Sequence, residues 1–343
     1  MIEKEISLHL NSNKPKDFKN LIDSIRETSF EINKIEIIVH IDKNDSKMKN
    51  TIDEINSINP TLVSYLETDM IKNFSDAWKP LNLLLKKTSE KVKVISCISD
   101  DLRFITNNWD RKILSYDSKF HDKIYRLRCS KFKNQNYKDI WQCGYAPDSY
   151  AFYSRNWLIN INQWCPCIGP DSFQECISFY MMEISKEYNR NIICEEISFD
   201  GQNISTGLDL KTRLKRTRIY YKAFFSLMSY KNQSLALQYA KKIIKNLENF
   251  DAKTNLDEYK ISYISHCFKN FIRRFNFFKY RGSPDHPINS IAKNVIFMIW
   301  CYLNFLDFFL LRIIKFSYNR GILKKIIKNK EQFQNIEKAI NYE

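Results

Sequence analysis

Residues 92–101 read VKVISCISDD, a nearly continuous apolar run that stops abruptly at Ser99, Asp100 and Asp101. A run of this kind is typical of a parallel strand that is buried on both faces. In open α/β sheets the ligand crevice lies beyond the carboxyl ends of the strands, so two acids at such an end are well placed for chemistry. The stretch therefore predicts an α/β fold and the edge at which its site lies.

Short β-branched runs alternate with helical patterns on the N-terminal side of this stretch. Strands are predicted over 6–10, 35–41, 62–66 and 92–98, and helices over 17–26, 48–57 and 75–87, the last capped by Ser75. Alternation of this kind favours right-handed crossovers and a mostly parallel sheet flanked by helices. The following stretch, 140–207, is less regular, with a predicted helix over 172–187 and a strand over 192–194, and we interpret it as an acceptor-side lobe.

Charge divides the 343 residues near position 207. Residues 1–207 contain 28 Lys and Arg against 29 Asp and Glu, whereas residues 208–343 contain 26 against 10, so the net charge of +15 is entirely C-terminal. Hydrophobic residues at 44% and aromatic residues at 14% exclude a disordered chain. We expect a first domain over 1–207 and a basic, α-helical C-terminal extension over 208–343, with helices over 210–230, 234–247 and 257–279.

The extension carries an amphipathic segment at 295–311. Its 17 residues are slightly short of the about 20 that cross a bilayer, and its polar residues fall on one arc of the helix. Three arrangements stay open: the helix lies in the headgroup region of an anionic membrane, packs on the first domain, or spans the bilayer. The first is favoured because it uses both the charge and the apolar residues. A nucleic-acid partner is not expected, since no recognised nucleic-acid-binding motif is present.

Cysteine usage and the N-terminus predict a cytoplasmic protein. The nine Cys are an odd number, and several lie in apolar runs, which is typical of reduced thiols. The Cys-Pro-Cys at 165–167 lacks the spacing of zinc ribbons, and the five His lack a nucleophile partner. The sequence begins MIEKEI, with acids where a signal peptide has basic residues. Together with the basic extension, this predicts a peripheral location on the inner face of the membrane.

Several short motifs occur in a particular order along the predicted strands. They are Ser12-Asn13-Lys14-Pro15 after the first strand, Asp42-Lys43-Asn44-Asp45-Ser46 after the second, Asn82 before the fourth, and Ser99-Asp100-Asp101 after it, followed by 104–110. In this order they resemble the Thr-x-Asn-Arg-Pro, Asp-x-x-Ser, Asn and Asp-x-Asp motifs of GT-A glycosyltransferases of the family-2 type. The chain departs from that pattern at Ser99, Lys14 and Leu84. The resemblance covers residues 6 to about 205.

This resemblance implies a GT-A, Rossmann-like fold and a nucleotide-sugar donor, with hexosyltransferase activity. It implies that Mn²⁺ or Mg²⁺ is held by Asp101 with support from Asp100, which agrees with the preference of these ions for hard oxygen ligands. The alternative is that the two acids have only a structural role, in a polar turn at the strand end. The expected donor-binding residues are Ser12, Asn13, Asp42, Asn82 and Asp100.

The expected catalytic base is Asp171. Gly169-Pro170-Asp171 opens a predicted helix, similar to where the family places its base, and an inverting transfer needs a carboxylate there to accept the acceptor's proton. Asp171 with Gln174 also matches a helix-capping box, and both roles stay open. Asp148 is the alternative base or a turn residue.

Other residues of the lobe have mostly structural interpretations. Trp157 is expected in the core, whereas Trp164 is left between a core position and stacking on a sugar. Residues 200–203 are expected to form an ordinary turn.

The expected function is metal-dependent transfer of a sugar to a glycan or lipid-linked acceptor, with inversion favoured. The alternative is a non-catalytic GT-A-like scaffold that tethers partners at a membrane surface, an interpretation that rests on Ser99 in place of the first signature Asp.

Overall fold

The computed structural model describes residues 3–71, 76–129, 140–145, 148–167, 169–201 and 223–275. All of them belong to one compact unit, Met1–Phe275. The predicted cap Ser75 and the segment 295–311 lie outside the described residues, as does most of the predicted helix over 210–230. The boundary at residue 207 stays a prediction.

The described residues form nine strands, seven of which make up one sheet at the centre of this unit. The strands are β1 (Ile6–Asn11), β2 (Ile35–Asp42), β3 (Val63–Thr68), β4 (Val94–Cys97), β5 (Leu102–Phe104), β6 (Arg126–Arg128), β7 (Phe152–Ser154), β8 (Asn191–Ile193) and β9 (Phe199–Gly201). The order in the large sheet is β3-β2-β1-β4-β7-β6-β8, and β5 pairs separately with β9. Only β7 is antiparallel to its neighbours in the large sheet, which confirms the predicted, mostly parallel α/β fold.

The described residues include nine α-helices. They are α1 (Pro15–Thr28), α2 (Ser46–Ile58), α3 (Trp78–Lys87), α4 (Trp109–Ser115), α5 (Ile140–Tyr145), α6 (Arg155–Ile161), α7 (Pro170–Ile184), α8 (Tyr230–Ile244) and α9 (Tyr263–Phe275). None of the described helices combines the length and the hydropathy that a bilayer-spanning segment needs. Helix α8 packs against both α6 and α7, so part of the predicted extension is joined to the acceptor-side lobe.

The strands at the centre are buried on both faces, as the run at 92–101 predicted. Every residue of β1 from Ile6 to Leu10 is buried, and so are Val94, Ile95 and Ser96 of β4. Consecutive residues of a strand point to opposite faces, so full burial requires cover on both sides of the sheet. On α1, the apolar positions Phe18, Leu21, Ile22 and Ile25 recur at helical spacing and are all buried.

His9 is a neutral side chain in the middle of β1. Its Nδ1 accepts a hydrogen bond from Trp164 Nε1 at 3.0 Å, and its Nε2 lies 3.0 Å from the hydroxyl oxygens of Ser7 and Thr88. Because Nδ1 is an acceptor, the proton of the neutral ring is on Nε2. Burial lowers the pKa of His9 from 6.5 to about 3.

Acidification should therefore destabilise the protein through His9. Below pH 6.5 His9 is protonated in the unfolded chain, whereas in the folded chain it stays neutral down to about pH 3. The free energy of unfolding therefore falls as the pH falls from 6.5 to about 3. The expected slope from this group is up to about 1.4 kcal/mol per pH unit. Urea unfolding between pH 4.5 and 7.5 measures it, with His9→Asn as the control because Asn keeps an acceptor for Trp164 and does not titrate. Equal slopes in both proteins would contradict the assignment.

Candidate active site

The ends of β1 and β4 meet at the predicted edge of the sheet. Ser12 directly follows β1, and its hydroxyl donates a hydrogen bond to Asp100 Oδ2 at 2.8 Å across 88 positions of sequence. The backbone N–H of Ser12 donates to the carbonyl oxygen of His40 on β2 at 3.0 Å. Two motifs that the sequence placed in one site are thus in direct contact.

The acid pair is oriented by hydroxyl groups. Asp101 Oδ1 accepts a hydrogen bond from Ser99, so the residue that replaces the expected first acid of the signature holds the second one in place. Burial raises the pKa of Asp100, and the Ser12 hydrogen bond and the charge of Lys14 oppose the rise. The nearby Arg103 donates to the backbone carbonyl oxygen of Asp100 at 3.2 Å.

The predicted nucleotide turn lies at the same edge, after β2. Asp42 is the last residue of β2, opposite Thr68 of β3. Asp45 is the N-cap of α2, and its side chain accepts a hydrogen bond from the N–H of Met48 at 3.0 Å. Asn13 is exposed at the end of β1. Asn13 thus follows Ser12 in the chain and Asp42 ends the neighbouring strand, and their donor-binding role stays a prediction.

Asn82 holds a segment of backbone in this structure. Its Oδ1 accepts hydrogen bonds from the N–H groups of Trp164 at 2.7 Å and Cys165 at 3.3 Å, and its Nδ2 donates to the carbonyl oxygen of Cys165 at 2.8 Å. Both ends of the amide thus fix the segment that leads into α7. The predicted contact of Asn82 with a donor stays a prediction.

The two tryptophans of this region belong to the core. Trp164 is fully buried and hydrogen-bonded to His9, so its indole is not available to stack on a sugar. Trp157 is also fully buried, and its Nε1 donates to Gln174 Oε1 at 2.8 Å.

Asp171 lies in the first turn of α7. The N-cap is Gly169, whose φ of +99° is a conformation that favours glycine, and Pro170 is the first helical residue. The predicted capping box is wrong, because Asp171 lies inside the helix and Gln174 donates to the carbonyl oxygen of Trp164 at 2.7 Å.

The surroundings of Asp171 favour its protonated form. Burial raises the pKa of Asp171, and the negative charge of Glu175, one turn further along α7, adds to the rise. Hydrogen bonds oppose these effects, among them the one that Ser149 Oγ donates to Asp171 Oδ2 at 3.2 Å. A carboxylate with a raised pKa is a stronger proton acceptor than an ordinary Asp.

Tyr150 lies within electrostatic reach of several candidate acids. Burial raises the pKa of its hydroxyl, and the charges of Asp101, Asp171, Asp148 and Asp200 each add to the rise. The four carboxylates therefore lie within electrostatic reach of one phenol group. Tyr150 does not stand out in the sequence, because it is one Tyr among 19 and belongs to no motif.

The alternative base, Asp148, is engaged with the backbone. Its Oδ2 accepts a hydrogen bond from the N–H of Cys129 at 2.8 Å, and its Oδ1 accepts one from the N–H of Tyr150 at 3.2 Å. The side chain is buried. These contacts favour a structural role for Asp148.

The prediction of a turn over 200–203 is wrong for its first two residues. Asp200 and Gly201 belong to β9, which runs antiparallel to β5 with Asp200 opposite Arg103. Because β5 directly follows the acid pair, this pairing brings Asp200 close to Asp101. Three-residue strands paired across about 100 positions leave no periodic signal in a sequence.

A buried ion network lies beneath Asp171. Arg126 and Glu175 have 0% and 1% of their side chains exposed and form an ion pair. Arg128 Nη2 lies 3.9 Å from Glu175 Oε1, and the N–H of Asp148 donates to Glu175 Oε2 at 3.4 Å. Burial by itself would raise the pKa of Glu175, but the two guanidinium groups outweigh it and hold the pKa below its ordinary value. The network therefore keeps a fixed negative charge one turn from Asp171.

The acid pair fits a divalent cation that is shared with a phosphate ligand. Among the described residues no group of three or more His, Cys, Asp or Glu could hold a metal ion. Mg²⁺ is commonly bound through only one or two carboxylates, with water and substrate phosphates completing its shell. Asp101 and Asp100 supply two carboxylates at a strand end, so the donor set matches an ion that is bound together with a diphosphate.

A surface pocket at the opposite edge of the sheet is a less suitable site. Glu5, Lys34, Lys93 and Asp110 are among the residues that line it. Both lysines form ion pairs with Glu5. Asp110, part of the predicted segment after the signature, accepts hydrogen bonds at 2.8 Å from the N–H groups of Phe30 and Glu31. These charged groups are satisfied by the protein itself.

The strand order, the single reversed strand and the acids at the ends of the parallel strands define a GT-A-like α/β protein. Among solved structures, the chain is similar to the mannosyltransferase PcManGT from Pyrobaculum calidifontis in complex with GDP-Man and Mn²⁺, at 11% identity and a TM-score of 0.49 over 88% of this chain and 85% of that chain. It is also similar to S. aureus TarS 1–349 in complex with UDP-GlcNAc, at 12% identity and a TM-score of 0.43 over 77% and 73% of the two chains. No protein-family model and no curated protein matches the chain. At these identities and TM-scores the likeness assigns neither an activity nor a residue role.

Proposed function

We propose that this chain is a metal-dependent hexosyltransferase that moves a sugar from a nucleotide-sugar donor to a glycan or lipid-linked acceptor with inversion. The observation that carries the proposal is the contact of Ser12 with Asp100 at the ends of β1 and β4. Asp101 lies next to this contact, and the charges of Asp101 and Asp171 both raise the pKa of Tyr150. This shared neighbour supports one site for both acids.

The donor side needs groups that stabilise a leaving diphosphate. Asp101, with support from Asp100, would hold Mn²⁺ or Mg²⁺, which when bound supplies positive charge against the developing negative charge of the diphosphate. Ser99 and Ser12 fix the two carboxylates in position. In this proposal Asp42 and Asn13 contact the nucleoside.

The acceptor side needs a group that removes a proton. As the acceptor oxygen attacks the anomeric carbon and the bond from that carbon to the diphosphate breaks, the acceptor's hydroxyl proton passes to the carboxylate of Asp171. Attack opposite the leaving group inverts the configuration at this carbon. Ser149 orients Asp171 by its hydrogen bond, whereas Asp148 already uses both oxygens on backbone N–H groups.

The proposed place of the reaction is the inner face of an anionic membrane, in the cytoplasm. Residues 208–343 combine 26 Lys and Arg against 10 Asp and Glu with many large apolar residues, which suits a surface of acidic lipids. Cys97, Cys165, Cys167, Cys176 and Cys267 are free thiols, which agrees with a reducing compartment.

Calorimetric titration of UDP, GDP and CDP with and without Mn²⁺ tests the proposal, followed by turnover of GDP-mannose and UDP-GlcNAc. We expect Asp101→Asn to weaken metal-dependent nucleotide binding by at least about tenfold, because it removes a charged oxygen ligand of a hard cation. The unfolding temperature should stay unchanged, since Asp101 lies at a half-exposed strand end.

Asp53→Asn, an exposed acid on α2, is the matched control and should bind as the parent protein does. Nucleotide binding that ignores both Mn²⁺ and Asp101→Asn, or no binding at all, would support the scaffold alternative.

A further inference from the structure

Helix α9 has its polar side against the protein and its apolar side outward. His266 and Asn270 are buried, with His266 Nε2 at 2.8 Å and Asn270 Nδ2 at 2.6 Å from the carbonyl oxygen of Met228. On the outward side, Tyr263, Ile264 and Phe268 are 61%, 80% and 63% exposed. A surface helix of a globular protein ordinarily has the reverse arrangement.

Exposed apolar residues are concentrated in and just before α9. Four of the ten large hydrophobic residues that are exposed among the described residues fall within 259–268: Tyr259, Tyr263, Ile264 and Phe268. Cys267, between them on the helix, is also exposed. Scattered single apolar residues need no explanation, but a group on one helix face is typical of an interaction site.

Exposed basic residues lie close to these positions in the sequence. Lys260 precedes α9, and Lys269 is on α9 itself. On α8, burial lowers the pKa of Lys241 and the charges of Lys260 and Lys245 lower it further, although Asp257 opposes them, so three lysines lie within electrostatic reach of each other.

The net charge of the neighbouring sequence is also positive. Residues 223–275 hold nine Lys and Arg against four Asp and Glu, and residues 276–343 hold eleven against five. Like charges around the face disfavour a second copy of this chain as its occupant and favour an anionic one.

We infer that the face of Tyr263, Ile264, Cys267 and Phe268, here called the α9 face, docks into the headgroup region of an anionic bilayer. An exposed apolar helix face in a basic part of the chain is the composition that binds such a surface in the plane of the membrane. This inference deepens the membrane part of the proposed function and does not depend on glycosyl transfer.

Docking through α9 would hold the acceptor-side helices at the membrane. Helix α9 contacts α8, and α8 packs along α7, the helix that begins with Pro170 and Asp171. A lipid-linked acceptor would therefore meet a base that is joined to the docking surface through two helix contacts.

Co-sedimentation of the full chain with vesicles, without any sugar nucleotide, tests the inference. Vesicles of phosphatidylcholine with phosphatidylserine should bind the protein, and vesicles of phosphatidylcholine alone should bind it more weakly. Ile264→Glu/Phe268→Glu should lower the partition coefficient at least about tenfold, because it removes two exposed apolar side chains that would enter the bilayer and adds two negative charges. The matched control is Ile58→Glu/Phe30→Glu, which changes two exposed apolar residues elsewhere and should bind as the parent does.

Cys267 gives a direct measure of contact. Its alkylation by a water-soluble reagent, followed by peptide mapping, should slow several-fold when phosphatidylserine vesicles are present and should not slow with phosphatidylcholine alone. Unchanged alkylation together with unchanged partition of the α9 double variant would overturn the inference.

Two other occupants give different results that also overturn it. If later residues of the chain cover the α9 face, the double variant lowers the unfolding temperature and leaves vesicle binding intact. If a second copy covers it, the double variant changes the sedimentation mass without lipid. Nucleotide titration of the same variants keeps the two proposals apart, since loss of vesicle binding with intact nucleotide binding concerns the membrane alone.

Discussion

Asp171→Asn should lower kcat by about 10²–10⁴-fold, the range that a positioned general base contributes. The amide keeps the size and hydrogen-bonding ability of the side chain but does not accept the proton of the acceptor hydroxyl. Nucleotide binding and the unfolding temperature should remain near those of the parent, because Asp171 is on the acceptor side in the proposed mechanism. Steady-state kinetics with the donor that turns over gives the measurement.

Asp148→Asn is the comparison for that experiment. Asp148 holds the N–H groups of Cys129 and Tyr150, so its replacement should reduce stability and leave the kcat of the folded fraction within a few-fold. If Asp148→Asn removes turnover and Asp171→Asn does not, the two roles are reversed.

The pH profile distinguishes a base from a merely structural Asp171. Since burial raises the pKa of Asp171, the acid limb of kcat/KM should lie above pH 3.8, the ordinary value for Asp. Glu175→Gln removes a negative charge that helps to raise this pKa, so it should move the limb to lower pH. An acid limb that does not move in Glu175→Gln would speak against Asp171 as the titrating group.

Arg126→Met should destabilise the fold by about 3–5 kcal/mol, because it leaves the carboxylate of Glu175 buried without its closest positive partner. Burial of both side chains is nearly complete, so water does not replace the lost contact. Arg128, at 3.9 Å, remains as a weaker partner. Urea-induced unfolding monitored by tryptophan fluorescence measures the change.

Two variants test the cause of that loss. Arg126→Met/Glu175→Gln should be more stable than Arg126→Met alone, because the second change removes the unpaired charge. Lys19→Met breaks the exposed pair with Glu54, whose side chains are 56% and 67% exposed, and should cost under about 1 kcal/mol. If Arg126→Met costs no more than Lys19→Met, the ion pair does not stabilise the fold in the way described.

Long, strongly patterned elements were predictable from the sequence. The four strands β1–β4 and the helices between them follow from apolar runs and helical spacing, and the edge of the sheet that carries the acids follows from the way the run at 92–101 ends. The contact between Ser12 and Asp100 agrees with the order of the motifs, because parallel strands bring their carboxyl ends together.

The part of the sheet around β6–β9 was less predictable because its contacts are made by side chains far apart in sequence. Strands β6, β8 and β9 have three residues each, too few for a periodic signal. The capping box failed at α7 because Gln174 found better partners in the tertiary structure, in Trp157 and the backbone of Trp164. Tyr150 and the Arg126–Glu175 pair carry no local motif at all.

The two halves of the sheet differ in what fixes their shape. The strands β1–β3 are six to eight residues long, and their backbone ladders set their geometry. Strands β6–β8 have three residues each, and the buried charges of Arg126 and Glu175 supply much of the order there. Exchange of a few side chains can therefore remodel the half of the sheet around β6–β8 while the half around β1–β3 stays as it is, so the two sides of the candidate site can change independently of each other.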